Sequence, residues 1–165
     1  MKVSIGCDHH GVLMRQKLVE LVCQLGHEVV EYGPVNELAS PVDYPDVAVE
    51  VAREVSLGLA DRGILICGTG IGMCITANKF PHVRAAPIVD ELTAEISRRH
   101  NDLNVICFSG DMLSDKMVSK LLEIWLTTPF DGGRHARRME KISEIERSLM
   151  ENGGDVSKIP THGSE

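Results

Sequence analysis

Apolar residues in this chain follow two alternating rhythms. Short apolar runs such as Val3-Ser4-Ile5-Gly6-Cys7 and Ile64-Leu65-Ile66-Cys67 are separated by longer stretches in which apolar residues recur every third or fourth position. The unbroken runs predict strands covered on both faces, and the spaced stretches predict amphipathic helices. After the first strand, Leu18, Leu21, Val22 and Leu25 share one helical face, and Gly26 is a stop signal behind them. Glu28-Val29-Val30-Glu31-Tyr32 predicts the second strand, and 33–43 a loop. Pro45 suits the first turn of the next helix, with Asp43 as a nearby cap and Val47, Ala48, Val51, Ala52 and Val55 on its apolar side. The third strand, Ile64 to Cys67, runs into Gly68-Thr69-Gly70-Ile71-Gly72, which opens a helix predicted to reach about Lys79. A fourth strand is expected over 84–89, a helix capped by Asp90 ends near His100, and a fifth strand covers 104–108. Val118, Leu121, Leu122 and Trp125 mark the following helix; Met139, Ile142, Ile145 and Leu149 mark a last one over 134–152.

Five strands separated by helices predict an α/β fold. Its form is a three-layer, Rossmann-like α/β/α sandwich around a five-stranded, mainly parallel sheet, with right-handed crossovers and an extra C-terminal helix. Residues 1–152 read as one domain, and the polar, glycine-bearing segment 153–165 as a disordered tail. No strand follows the last helix, so its apolar stripe must pack on the domain or on another subunit.

Composition narrows the setting. The chain has 165 residues, 43% hydrophobic and 25% charged, enough for a core without disulfides or metals. A net charge of −7 argues against nucleic acid and anionic membrane as partners. The longest uncharged stretch, 63–78, carries Gly68, Gly70 and Gly72 and reads as strand, loop and helix start rather than a membrane span. The first residues lead directly into a strand pattern with no apolar leader, so no export is expected. Five cysteines, odd in number and with no CxxC pair, read as reduced thiols of a cytoplasmic protein. One local exception to the acidic balance is the basic cluster Arg134, His135, Arg137, Arg138 and Lys141.

Ligands in open α/β sheets bind beyond the carboxyl ends of the strands. Asp8-His9-His10-Gly11 ends the first strand, Cys67 and the glycine loop end the third, and His100-Asn101-Asp102 precedes the fifth. The three clusters are expected to converge on one sheet edge. Each has a structural alternative: Asp8 as a turn residue, His100 as a cation at a helix end, Cys67 as a small buried hydrophobe. The loop is not GxGxxG, follows the third strand rather than the first, and has no GK[ST]. Its content is a set of N–H groups at a helix start, suited to a phosphate, oxyanion or enediolate and to a thiolate at Cys67. A metal-assisted hydrolase built on Asp8, His9, His10, His100 and Asp102 fails on ligand spacing, so no metal and no cofactor is expected. A nucleotide-binding module rests on the fold class alone.

Taken in order, Gly6-Cys7-Asp8-His9-His10-Gly11, Asp43-Tyr44-Pro45-Asp46, Cys67-Gly68-Thr69-Gly70-Ile71-Gly72, Ala77-Asn78-Lys79, Arg98-Arg99-His100-Asn101-Asp102 and Gly132-Gly133-Arg134-His135-Ala136-Arg137-Arg138 resemble the ribose-5-phosphate isomerase B family. That family also includes galactose-6-phosphate and allose-6-phosphate isomerases, and the resemblance spans roughly 2–147. It implies aldose–ketose isomerisation of a sugar phosphate, with ribose 5-phosphate first and allose 6-, galactose 6- or erythrose 4-phosphate as alternatives. Cys67 takes the place of a thiol base, and Met73 stands where another branch has a glutamate. Gly68, Gly70, Ile71 and Gly72 would hold the enediolate with Thr69 donating, and Tyr44 and Asn101 would contact the sugar. His100, with Asp8 and His9 nearby, would open the ring. Arg134, His135 and Arg138 would grip the phosphate from a neighbouring subunit, which implies a homodimer, with a tetramer as the alternative. Three positions depart from the family pattern: Cys7, His10 and Asp111, the last in place of an arginine that contacts substrate. A carboxylate beside a phosphate dianion is repelled, so either Asp111 turns away or the substrate sits differently.

Overall fold

The computed structural model describes residues 1–36 and 38–159. Five strands, β1 (Lys2–Cys7), β2 (Glu28–Tyr32), β3 (Arg62–Cys67), β4 (Ala85–Pro87) and β5 (Val105–Ser109), form one sheet in the order β2-β1-β3-β5-β4. All four pairings are parallel, with Cys7 opposite Ile66 and Cys67 opposite Ser109. The expected α/β architecture is therefore present, with β5 inside the sheet and β4 at its edge.

Six α-helices accompany the strands: α1 (Val12–Gln24), α2 (Tyr44–Ser56), α3 (Ile71–Ala77), α4 (Glu91–Asn101), α5 (Asp115–Thr127) and α6 (Arg134–Glu151). Strand residues alternate between two apolar layers, as the pleat requires. Ile64, Ile66, Ile106 and Phe108 pack with Leu18, Val22, Leu121, Leu122 and Trp125 of α1 and α5. Leu65, Cys67, Val105 and Cys107 face the other way, onto Val47, Val51, Met73 and Ala77 of α2 and α3.

Local chemistry sets several boundaries. Asp90 caps α4 by accepting from Thr93 N at 2.8 Å, as expected from sequence. Asp43 occupies the cap position of α2, yet its side chain makes no capping bond. Helix α3 stops at Ala77 rather than near Lys79. Asn78 turns its amide toward β4, donating to Ala85 O at 2.9 Å and accepting from Ala85 N at 2.9 Å, a pairing that replaces further helix. The fourth strand is shorter than the predicted 84–89; it lies at the sheet edge, where Pro87 costs no ladder bond on the outer side.

Helix α6 leans on α4, and of its eighteen residues only His135 is buried. Ile142 and Ile145 remain half-exposed beside a hollow shared with Phe80 and Pro81. The stripe is thus partly covered by its own domain. In the segment expected to be disordered, Val156–Lys158 forms a 3-10 turn, and Ser148 Oγ donates to Lys158 O at 3.2 Å; 160–165 lie outside the described residues. Among the described residues no helix is long and apolar enough to cross a membrane.

Candidate active site

At the carboxyl ends of β1 and β3 lies a hollow of about 290 Å³ lined by Asp8, His9, His10, Tyr44, Cys67, Gly68, Thr69 and Gly72. The sheet sets its floor. Asp8 is 5% exposed and sits one residue past β1, its N–H donating to Ile66 O at 3.1 Å. Its carboxylate accepts from His10 N at 2.8 Å, which turns the chain into α1. Asp8 is thus a turn residue and a wall of the hollow at once.

Cys67, 4% exposed, ends β3. Gly70 N donates to its Sγ at 3.2 Å, so the loop directs a backbone N–H at the sulfur. Ile71 N donates to Thr69 Oγ1 at 3.3 Å. Gly70 holds φ +76°, and a Cβ there would stand 3.1 Å from the Phe108 carbonyl, so both conformation and space require glycine. Tyr44, at the start of α2, lies on Gly72, where a Cβ would meet its ring at 2.6 Å. Helix α3 has only seven residues, so the local N–H groups of the loop rather than a long macrodipole face the hollow. Met73 is fully buried in the core.

Asp111 is held against the glycine loop. Gly110 N donates to Cys67 O at 2.8 Å and Asp111 N to Gly68 O at 3.3 Å, which folds the turn after β5 over the glycine loop. Ser109 Oγ, donating to Gly68 O at 2.6 Å, pins the same junction. The Asp111 carboxylate reaches His10, with Oδ1 3.0 Å from Nδ1. Two of the departures noted in the sequence, His10 and Asp111, therefore touch.

The expected convergence on one edge is not what the chain adopts. His100 and Asn101 end α4, which runs antiparallel to the strands and so returns to their amino ends. There Gly63 N, at the start of β3, donates to Asn104 O at 2.8 Å, and Arg84 donates to Asn101 O at 3.1 Å. Asp102, in the left-handed conformation that closes α4, is paired with Arg84 and Arg98, both at 2.8 Å. From Gly63 to Cys67 the sheet spans about 13 Å at its usual rise per residue. Asp8, His9, Tyr44, Cys67, Gly68, Thr69, Gly70, Ile71 and Gly72 stay together at the carboxyl edge. His100 and Asn101 lie at the other edge, with Arg134, His135 and Arg138.

This second cluster has its own order. The His100 and His135 rings stack with centroids 4.1 Å apart and 7° between planes. Asp131 stands beside them, its N–H donating to Arg99 O at 3.0 Å and its carboxylate paired with Arg99 Nη2 at 3.1 Å. Arg99 holds the Asp131 carboxyl below its ordinary range. Desolvation, then the charges of His100, Arg134 and Arg138, push the His135 imidazole down, against a smaller upward pull from Asp131. Arg134 and Arg138 are exposed one helical turn apart. Ligand atoms of His100, Asp131 and His135 lie within 4.8 Å of one another, but face-to-face rings aim their lone pairs in parallel rather than at one point, unlike a tetrahedral metal site. The set weighed for a metal hydrolase is likewise divided between the two edges. Sequence reasoning missed Asp131; its position just before Gly132-Gly133-Arg134-His135 was the available signal.

Among the remaining thiols, burial pushes Cys7 up to about 11 and raises Cys107 well above its ordinary value, the hydrogen bond with Cys107 lowers half-buried Cys74, and Cys23 is exposed. All five cysteines are free.

Comparison with known proteins finds relatives over most of the chain. A family model described as ribose/galactose isomerase matches residues 3–142. Ribose-5-phosphate isomerase B of Escherichia coli is 38% identical over 146 residues, covering 88% of this chain and 97% of that protein. D-erythrulose-4-phosphate isomerase of Pectobacterium atrosepticum is 35% identical over 148 residues, covering 88% and 95%. The crystal structure of ribose-5-phosphate isomerase B from Mycoplasma genitalium with bound ribulose-5-phosphate superposes with a TM-score of 0.84 at 39% identity, covering 88% of this chain and 96% of that one.

Proposed function

The chain belongs to the ribose/galactose isomerase family, and we propose that it interconverts ribose 5-phosphate and ribulose 5-phosphate at a site assembled from two copies. It is an aldose–ketose isomerase acting on a sugar phosphate. The observation that carries the two-copy site is the separation of Cys67 from His100, Arg134 and His135 by the length of the sheet. Edges that face opposite ways cannot grip one pentose phosphate, whereas two chains related by a two-fold axis can set one edge against the other.

The division of labour follows from the chemistry of each edge. Arg134 and Arg138 of the partner subunit hold the phosphate as fixed cations, and His135 of the partner subunit, its Nε2 accepting from Arg134 Nε at 3.3 Å, keeps that guanidinium in place. His100 of the partner subunit opens the furanose, moving the anomeric hydroxyl proton to the ring oxygen. Cys67 then removes the proton at C2 and returns it to C1. The backbone of 68–72 and the Thr69 hydroxyl stabilise the enediolate between these steps. Tyr44 and Asp8 line the hollow beside Cys67. Neither step transfers electrons to an outside acceptor, so the reaction as drawn calls for no cofactor. Five free thiols fit a reducing, cytoplasmic setting.

The test is turnover by the full chain of ribose 5-phosphate, erythrose 4-phosphate, allose 6-phosphate and galactose 6-phosphate, followed by ketose formation. Ribose 5-phosphate is expected to give the highest kcat/KM, and Cys67→Ser to abolish turnover and deuterium exchange at C2 while leaving the circular dichroism unchanged, because a serine hydroxyl hardly ionises near neutral pH whereas a thiol can supply the thiolate that takes the proton. Wild-type turnover by Cys67→Ser would remove the thiol base, and a clear preference for another sugar would reassign the substrate.

A further inference from the structure

Isomerisation moves two protons between carbons and oxygens. One passes from C2 to C1, and a second must pass from O2 to O1. We propose that His10 is the catalytic group for that second transfer and that Asp111 is its positioning partner. This rests on the isomerase reading above.

The geometry is that of an oriented imidazole. Asp111 Oδ1 lies 3.0 Å from His10 Nδ1. An ionised carboxylate only accepts, so Nδ1 carries the hydrogen, and in the neutral ring Nε2 is left as the acceptor. His10 lines the same hollow as Cys67. The pair rests directly on Gly68, the residue after the proposed base: a Cβ on Gly68 would stand 2.9 Å from Asp111 Oδ2 and 3.8 Å from His10 Cγ. Backbone contacts fix both members. His10 N donates to Asp8, Asp111 N donates to Gly68 O, and a Cβ on Gly110 would stand 2.6 Å from His10 O. C1, C2 and their oxygens must lie against Cys67 for its sulfur to work, so a ring seated on the adjoining residue is placed for O1 and O2 rather than for the phosphate.

The step balances without an outside reagent. As Cys67 takes the C2 proton, the C–H pair forms the C1–C2 double bond and the carbonyl pair moves to O1. His10 Nε2 takes the proton of O2 as the O2–H bond breaks, then delivers it to O1. The C2–O2 double bond forms, and C1 recovers the proton from the Cys67 thiol. His10 ends as it began.

The experiment compares His10→Ala, His10→Asn and Asp111→Asn with the wild-type protein in deuterated buffer. It follows ketose formation and loss of the C2 hydrogen from unreacted ribose 5-phosphate. Both side chains are about half exposed, and circular dichroism checks that each variant folds. His10→Ala and His10→Asn are expected to lower kcat by about 10²-fold, the size of a general acid–base contribution, with KM within a few-fold. C2 exchange per ketose formed should rise, because the enediolate still forms and reverts but no longer swaps its oxygen proton. Asp111→Asn should shift the same ratio in the same direction with a smaller loss of kcat. Unchanged kcat in the His10 variants, or a loss of kcat with the exchange ratio unmoved, overturns the proposal. If Cys67→Ser is dead while His10→Ala is fully active, the dyad is wrong and the isomerase reading stands. If the wild-type protein turns over no sugar phosphate, both fall together.

Discussion

Mixing Cys67→Ser with His100→Ala tests the two-copy site most directly, because the outcome depends on which edge of the sheet His100 occupies. In one chain the two residues are separated by about 13 Å of sheet and point out of opposite ends. If a functional site takes Cys67 from one copy and His100 from the other, each parent homodimer has two defective sites. A heterodimer has one site with both defects and one with none. After complete exchange of equal amounts, half of the dimers are heterodimers, so about a quarter of the wild-type turnover per protomer should return under two-fold geometry. The background is low: removing a general acid–base group costs ~10²–10⁴-fold, which leaves the His100→Ala parent at about 1% or less. A quarter would therefore stand at least ~25-fold above it. Differently tagged variants, exchanged and separated by tag, give heterodimers for assay with ribose 5-phosphate. Confirmed heterodimers with only the background of the parents would refute the two-copy site, since a site formed within one chain leaves every copy defective.

Two further outcomes follow from single residues. Gly70→Ala should lower the denaturation midpoint by an amount equivalent to about 1–3 kcal/mol, the cost of a left-handed residue with a side chain, and should impair turnover beyond that loss by shifting the N–H that points at Cys67 Sγ; an unchanged midpoint would contradict the strain argument. His135 carries a folded pKa below its ordinary 6.5, so the unfolded chain takes up this proton more readily. Stability from this group is full above that value and falls as pH drops through it. Urea midpoints between pH 7.5 and 5 should therefore decline less steeply in His135→Asn than in the wild-type protein, and parallel curves would remove His135 from the acid response.

The apolar rhythm alone determined the fold class, five strands in their places, most helix faces and the carboxyl-edge half of the site. Those features are local or follow from one general rule: a β-α-β chain in parallel order brings the ends of neighbouring strands together, so Asp8 and Cys67 had to meet. Motif resemblance singled out Arg134, His135, Arg138 and His100 but could not say which edge they share. That was decided by helix direction. A residue at the end of a helix and just before a strand lies at the amino edge, which separates His100 from Asp8 and His9 and places it on His135. The ends of α3 and β4 were decided by the Asn78 amide, whose bonds to Ala85 seven residues on leave no trace in the apolar rhythm. The same holds for His10 and Asp111, 101 residues apart in the chain. Each reads separately as an odd substitution, and only the turn folded over Gly68 makes them a pair.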